Sequence, residues 1–243
     1  LFFLYDFIIK SFCTKVIPVS NNVLQSLVNK KNFDYEKLKI ISIGLDYDNN
    51  KFLSLKKFNV INENKTFKIL ISGNYDEKRK GHEQLFVAIK ELVYIYKNIL
   101  LLIVGSGSKE RKKSLNDLAI YLGIENNIKF YGYVSNIEEL NHECDIVVVP
   151  SVGSEAIPYT IIEGLKAGKP IITSDYGGCK EAVVSEYNGF IVDPYDAKLM
   201  AYKFHYLIND VKRLEQFGVN SRKLFEENFI QKDKVIEYLN LYK

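Results

Sequence analysis

Hydrophobic and polar positions follow two alternating periods along most of the chain. From residue 66 onward, short apolar runs typical of buried parallel strands alternate with longer stretches whose apolar residues recur at helical spacing. The predicted strands cover residues 66–72, 99–104, 128–131, 145–149, 170–174 and 190–192. The predicted helices cover residues 81–96, 108–122, 136–142, 159–167, 179–184, 195–209, 210–228 and 231–241. This alternation predicts right-handed crossovers and an α/β fold, a doubly wound parallel sheet with a helical carboxyl terminus.

The first 65 residues follow a different pattern. We expect a helix over residues 1–12, a strand over 15–20, a helix over 22–30 capped by the Ser20-Asn21-Asn22 turn, and a strand over 39–43. A polar stretch through Asn64 then has the composition of a linker. The pattern predicts a boundary near 55–65, with residues 1–60 as the remnant of an amino-terminal domain plus linker and residues 61–243 as one domain. Since the chain does not begin with methionine, we expect a fragment.

Composition narrows the class of protein. A hydrophobic content of 47% is ample for a core, and 33 basic against 30 acidic residues, a net charge of +3, do not favour nucleic acid as a partner. Cys13, Cys144 and Cys179 form no CxxC pair, which predicts buried thiols in a reducing, cytoplasmic compartment. The opening LFFLYDFII contains Asp6 and is too short to span a bilayer, so a packed helix is expected, with peripheral membrane contact as the alternative.

The stretch from Pro150 to Pro170 holds two glutamates in a suggestive place. A buried strand ends at Pro150, a loop carries Glu155, and a helix beginning after Pro158 carries Glu163. Two glutamates at this spacing also fit a solvent-exposed helix face. However, ligands of open α/β sheets bind beyond the carboxyl ends of the strands, where the first-turn N–H groups of a helix attract anions. The stretch is therefore a candidate ligand site.

A cationic segment follows the first predicted strand of the repeating unit. It begins at Gly73 and places Lys78, Arg79 and Lys80 immediately before the next helix. Such a charge run fits a solvated surface, but a cationic loop at the carboxyl end of a strand also holds phosphate. Because this loop and the two glutamates share one predicted sheet edge, a diphosphate between the lysines and a helix N-terminus is a consistent hypothesis.

Other motifs are interpreted as structural. Gly105-Ser106-Gly107 is followed by Glu110 where a dinucleotide fingerprint needs its third glycine, so we expect a turn. Asp46-Tyr47-Asp48 lies in the predicted linker and is interpreted as a turn instead of a metal site. The three histidines share no metal-ligand spacing, and we expect them to be surface or helix-end residues: His82, His142 and His205.

Taken in order, these stretches resemble the nucleotide-sugar-binding half of retaining glycosyltransferases of family 4, which have the GT-B fold. The resemblance covers about residues 15–230. The matching segments are Val19–Ser20, Ile43–Asp46, Gly73–Gly81, Ile103–Gly107, Phe130–Val134, Asp145–Ser151, Glu155–Glu163, Ala167–Pro170, Gly177–Glu181 and Asn188–Gly189.

The resemblance implies two Rossmann-like domains facing a cleft, with the acceptor bound mainly by the first and the nucleoside diphosphate sugar by the second. It implies that Glu155 contacts hydroxyls of the transferred sugar and Lys80 neutralises the diphosphate, so these two are the expected catalytic residues. Glu163 would contact the ribose, and the backbone near Tyr133 and Val134 would face the base. The expected donor-binding set is Gly73, Asn74, Lys78, Arg79, Lys80, Tyr133, Val134, Ser151, Glu155, Ala156, Ile157, Pro158, Tyr159, Thr160 and Glu163.

The implied reaction transfers a hexose to a glycan or lipid-linked acceptor without a metal or another cofactor, in polysaccharide biosynthesis. Two positions depart from the family pattern. Asn74 stands where an arginine usually follows the first glycine, with Arg79 or Lys78 as substitutes, and Ala156 replaces the usual glycine after the first glutamate. We expect the chain by itself to be weakly active or inactive, and the alternative is a truncated nucleotide-sugar-binding module without catalysis. A different GT-B enzyme, such as an epimerase or a phosphorylase, is disfavoured by the intact glutamate pair.

Overall fold

A computed structural model describes residues 9–47 and 66–242, and these contain a six-stranded sheet in the order β3-β2-β1-β4-β5-β6. All neighbouring strands in the sheet are parallel. The strands are β1 (Phe67–Ser72), β2 (Ile99–Val104), β3 (Ile128–Gly132), β4 (Ile146–Val149), β5 (Ile171–Thr173) and β6 (Gly189–Ile191). The helices are α1 (Asn21–Lys31), α2 (His82–Ile95), α3 (Lys109–Leu122), α4 (Ile137–Glu143), α5 (Tyr159–Lys166), α6 (Ala197–Asn209), α7 (Val211–Asn228) and α8 (Gln231–Leu239).

The strands are apolar on both faces because helices cover both sides of the sheet. In β1, Phe67, Ile69 and Ile71 join one buried core while Leu70 joins the other, as the two-residue period of a strand requires. Helices α2, α3 and α6 contribute to the first core, and α4 and α5 contribute to the second. Helix α7 reaches both cores, through Phe217 and Phe225. The predicted doubly wound α/β fold is confirmed.

The strand order reverses between β1 and β4, so the loops that follow these two strands lie side by side. Gly81 has a φ of 75°, and a Cβ atom there would stand 1.9 Å from the carbonyl oxygen of Pro150. Val152 N donates a hydrogen bond of 2.8 Å to Arg79 O across the same gap. Ligands of doubly wound sheets bind at such a reversal, so the fold brings both predicted site segments to the expected crevice.

The segment before the sheet confirms one prediction and corrects another. Ser20 caps α1, its hydroxyl accepting from Val23 N at 3.2 Å, as the Ser-Asn-Asn turn predicted. The predicted strands at 15–20 and 39–43 are wrong: within the described residues the first segment makes one isolated parallel bridge, from Val16 to Leu38, and residues 39–43 form no strand. Pro18 has no N–H to donate, so the ladder does not continue. Of the predicted helix over 1–12, residues 9–12 are helical, and residues 1–8 lie outside the described part.

The amino-terminal segment is joined to the carboxyl-terminal one. Leu45 N donates to Phe229 O at 2.9 Å, and Gln231 N donates to Leu45 O at 3.0 Å. The predicted domain boundary near 55–65 falls outside the described residues, as does Asp48 of the Asp-x-Asp motif. No helix in residues 9–47 or 66–242 is long and apolar enough to cross a membrane.

Several local predictions need correction. The predicted helix over 179–184 is a single 3-10 turn, Cys179–Ala182. It ends with a hydrogen bond from Val183 N to Lys180 O, three residues earlier, which is the spacing of a 3-10 helix. The cationic residues Lys78–Lys80 also form a 3-10 turn. Of the predicted buried thiols, Cys144 and Cys179 are buried, whereas Cys13 is only partly so.

Candidate functional site

Four side chains from the two loops form one polar group, here called the Glu155 cluster: Arg79, Lys80, Ser151 and Glu155. Glu155 Oε1 accepts from Ser151 Oγ at 2.9 Å and lies 3.0 Å from Arg79 Nη1. Glu155 Oε2 accepts from Lys80 Nζ at 2.9 Å. The Glu155 side chain is only 7% exposed, so these contacts replace most of its hydration. The cluster unites the two segments singled out from the sequence.

The local backbone explains how the cations reach the carboxylate. Lys80 ends the 3-10 turn, and its aliphatic stem runs over Gly73, where a Cβ atom would stand 3.5 Å from the lysine chain. Gly73 has a φ of 151°, which glycine adopts most readily. Ser151 follows directly after Pro150 at the end of β4 and is fully buried. Strand ends and a turn therefore position the cluster.

The backbone of Glu155 is held from two further segments. Gly178 N donates to Glu155 O at 2.8 Å, and Asn22 Nδ2 donates to the same oxygen at 3.3 Å. Gly177 has a φ of 61°, and a Cβ atom there would lie 2.3 Å from Glu155 O. The Gly177-Gly178 pair is needed because the two backbones touch. The Asn22 contact, which the sequence did not predict, links α1 to the loop of the predicted catalytic glutamate.

Helix α5 begins beside the cluster. Pro158 occupies the N-cap position, no side chain caps the helix, and Tyr159 is its first residue. Thr160 Oγ1 donates to Ser72 O at 3.1 Å, which ties the first turn to the end of β1. The amino end of α5 therefore lies at the crevice, where its dipole favours negative charge.

Glu163 lies one turn further along α5 and differs from Glu155. It is partly buried, and within residues 9–47 and 66–242 its carboxylate accepts no hydrogen bond. Burial raises the pKa of Glu163 above its usual value, although the charge of Lys166 opposes the shift. A half-buried carboxylate with unused acceptor capacity suits a hydroxyl ligand.

Other predicted site residues lie apart from the cluster. Tyr133 is 81% exposed after β3, and Val134 packs on the second core. The Ile157 side chain is buried in that core, so only its backbone is available to a ligand. Asn74 uses its amide oxygen to accept from Asp76 N at 2.9 Å, and Lys78 is exposed.

His82 contradicts the expectation of a surface residue, although it does begin a helix. It is 1% exposed, and neither ring nitrogen has a hydrogen-bond partner within the described chain. Burial, reinforced by the charges of Arg111 and Lys80, lowers its pKa to about 4. The helical spacing of His82, Leu85 and Phe86 was a signal available in the sequence, since the three share the buried face of α2.

The sequence of this chain matches a known protein family. The family model described as "Glycosyl transferases group 1" matches residues 54–224. The chain belongs to this family. Over 231 residues it is 29% identical to the capsular polysaccharide biosynthesis glycosyltransferase CapM of Staphylococcus aureus, covering 91% of this chain and 59% of CapM. The chain spans about 60% of the length of CapM and of the uncharacterized glycosyltransferase MJ1607 of Methanocaldococcus jannaschii, to which it is 28% identical.

Solved structures agree on the fold. A glycosyltransferase of Rickettsia africae superposes with a TM-score of 0.86 at 25% identity, covering 99% of this chain and 66% of the other. Anabaena HepE in complex with UDP-glucose gives a TM-score of 0.83 at 20% identity, covering 98% and 66% respectively. The sheet and its helices are therefore those of GT-B glycosyltransferases.

Proposed function

We propose that this member of glycosyl transferases group 1 is the donor-binding part of a retaining, family 4 glycosyltransferase. It would transfer a hexose from a nucleoside diphosphate sugar to a glycan or lipid-linked acceptor. The observation that carries the proposal is the Glu155 cluster, in which two cations and a buried glutamate meet at the reversal of strand order. Ligands of this class of sheet bind at that reversal.

The residues divide the donor between them. Lys80 and Arg79 bind the diphosphate, which the amino end of α5 also favours electrostatically. Glu155 accepts from hydroxyls of the transferred sugar, and Glu163 accepts from the ribose. The backbone near Tyr133 and Val134 faces the base. Arg79 supplies the positive charge that Asn74 lacks, since its guanidinium already reaches the cluster.

The chemistry agrees with this division. Breaking the anomeric C–O bond develops negative charge on the leaving diphosphate, and fixed cations stabilise that charge as it forms. Because Lys80 and Arg79 supply this charge, we propose that no divalent metal is required. Donor affinity should be the same in chelator as in buffer with added manganese, and loss of binding in chelator alone would contradict the proposal.

Relatives guide the choice of substrates. CapM is named for capsular polysaccharide biosynthesis, which supports a glycan acceptor, and HepE is described with UDP-glucose, which makes UDP-sugars the first donors to test. We also propose that residues 1–60 belong to an acceptor-binding domain and its linker, and residues 61–243 to the donor domain. Such an enzyme would work in the cytoplasm, at the inner face of the membrane where the acceptor is lipid-linked.

A thermal-shift panel of UDP-, GDP- and ADP-sugars tests donor binding. A ligand at 100 times its dissociation constant stabilises the folded chain by about 2.7 kcal/mol, which is readily detected as a rise in melting temperature. We expect one nucleotide series to raise it and Lys80→Ala to reduce the rise. No shift with any series would contradict the proposal. Binding without transfer to any acceptor, measured on the full-length protein, would favour a binding module.

A further inference from the structure

We propose that the Glu155 carboxylate and the donor's diphosphate compete for the same two cations, so that the diphosphate displaces the carboxylate and thereby frees it for the sugar. This inference rests on the proposed function and deepens it. It makes recognition of the two parts of the donor interdependent, and it assigns Ser151 a positioning role.

Both oxygens of the carboxylate are engaged by the residues expected to bind the donor. Lys80 holds Oε2, while Arg79 and Ser151 share Oε1. A carboxylate has about four acceptor sites; Lys80 and Ser151 occupy two of them by hydrogen bonds, and the Arg79 guanidinium pairs with Oε1 at 3.0 Å. A sugar hydroxyl would therefore meet a glutamate whose acceptor capacity is largely used. A diphosphate would likewise meet two cations that are already paired.

The charges of the competing groups favour replacement of the Glu155 carboxylate by the diphosphate on the two cations. A diphosphate carries more negative charge and more acceptor oxygens than one carboxylate, and guanidinium groups bind phosphate in a bidentate manner. The Arg79 side chain is 45% exposed and also pairs with Glu77, so it can turn toward a ligand while keeping a partner. Lys80 is 18% exposed, and its flexible stem gives it similar freedom.

Ser151 would keep the released carboxylate in place. Its hydroxyl is buried and donates to Glu155 Oε1, and because it carries no charge it attracts a diphosphate less strongly than Lys80 or Arg79 does. After the cations move to the diphosphate, one oxygen of Glu155 stays anchored and the other accepts from the sugar. Ser151, which the resemblance places among the donor-binding residues, thus acts as a positioning residue in this scheme.

The test is calorimetric titration of UDP, GDP, ADP and inorganic pyrophosphate into the wild-type chain and Glu155→Gln. From the division of roles alone, this substitution would leave the affinity for bare nucleotide unchanged. Competition predicts that it tightens binding, because glutamine holds the two cations less strongly. We expect roughly a 5- to 30-fold lower dissociation constant, equivalent to about 1 to 2 kcal/mol. UDP-sugars should gain less, since the sugar loses its carboxylate partner.

Two further variants isolate the cause. Glu125→Gln makes the same change of charge at the amino end of β3, on the opposite edge of the sheet, and should leave all affinities unchanged. In the Lys80→Met background, part of the gain from Glu155→Gln should vanish, since one of the two competing cations is gone. Glu155→Asp keeps the charge on a shorter stem and should give a smaller gain than glutamine, which keeps the test valid if Glu155→Gln fails to fold.

The outcomes distinguish a failure of the competition from a failure of the proposed function. If Lys80→Met weakens nucleotide binding but neither Glu155 variant strengthens it, competition is refuted and the donor site stands. An equal gain in Glu125→Gln would also refute it, because the effect would then come from net charge. If the wild-type chain and every variant bind none of the probes, the proposed function fails and the inference with it.

Discussion

The buried imidazole of His82 should make the stability of this protein depend on pH. The ring lies against Tyr75, with centroids 6.4 Å apart in an edge-to-face arrangement, and neither nitrogen has a partner within the described residues. Protonation would place a charge in this apolar site, near the cations Arg111 and Lys80. Folding therefore favours the neutral ring.

The magnitude follows from the pKa of His82, which falls from 6.5 to about 4. One pKa unit corresponds to about 1.36 kcal/mol, so the difference amounts to about 3 kcal/mol. Between these two pH values the unfolded chain binds more protons at this site than the folded chain. The contribution is therefore fully present above pH 6.5 and is lost as the pH falls toward 4.

Urea unfolding of the wild type and His82→Leu from pH 7.5 to 4 measures this effect. The difference in unfolding free energy between the two proteins should change by about 3 kcal/mol across the range, in favour of the leucine variant at low pH. The control is Ile89→Val on the same helix face, which should lower stability by about 1 kcal/mol at every pH. Parallel pH profiles for the wild type and His82→Leu would refute the reasoning.

Three other substitutions have defined outcomes. Burial raises the pKa of Glu163, so its contribution to stability falls as the pH rises. Glu163→Gln should remove this loss of stability in urea titrations. By calorimetry, the same substitution should weaken the binding of both bare nucleotide and sugar nucleotide about 5- to 30-fold. Gly81→Ala should cost more than about 2 kcal/mol in thermal unfolding, because its Cβ would collide with Pro150 O. Glu181 accepts hydrogen bonds from Asn21 N and Asn22 N at 2.7 Å, which caps the amino end of α1. Glu181→Ala should therefore lower the stability of α1 by about 1 kcal/mol and speed its amide hydrogen exchange. Unchanged exchange would contradict this capping role.

Much of the architecture could be predicted because it depends on local periodicity. The runs Ile69–Ile71 and Ile146–Val149 are apolar at every position, which indicates strands covered on both faces, and the alternation with helices then predicts a parallel sheet. The cap at Ser20 could be predicted for the same reason, since it uses atoms three residues apart. The segments at 15–20 and 39–43 looked equally strand-like. A strand, however, needs a neighbouring strand to pair with along its length, and the strand propensity of the residues does not show whether such a neighbour exists.

The site divides in the same way. The order of residues by itself determined that a cationic loop and two glutamates follow strands, and therefore that they lie on one edge of the sheet. Only the tertiary structure decided that Arg79 and Lys80 both reach Glu155, and that among the described residues none donates a hydrogen bond to the Glu163 carboxylate. Side-chain pairing depends on distances of about 3 Å between segments 75 residues apart. Burial of His82 was likewise decided by packing, since a polar residue at a helix start is compatible with either the surface or the core until neighbouring elements close over it.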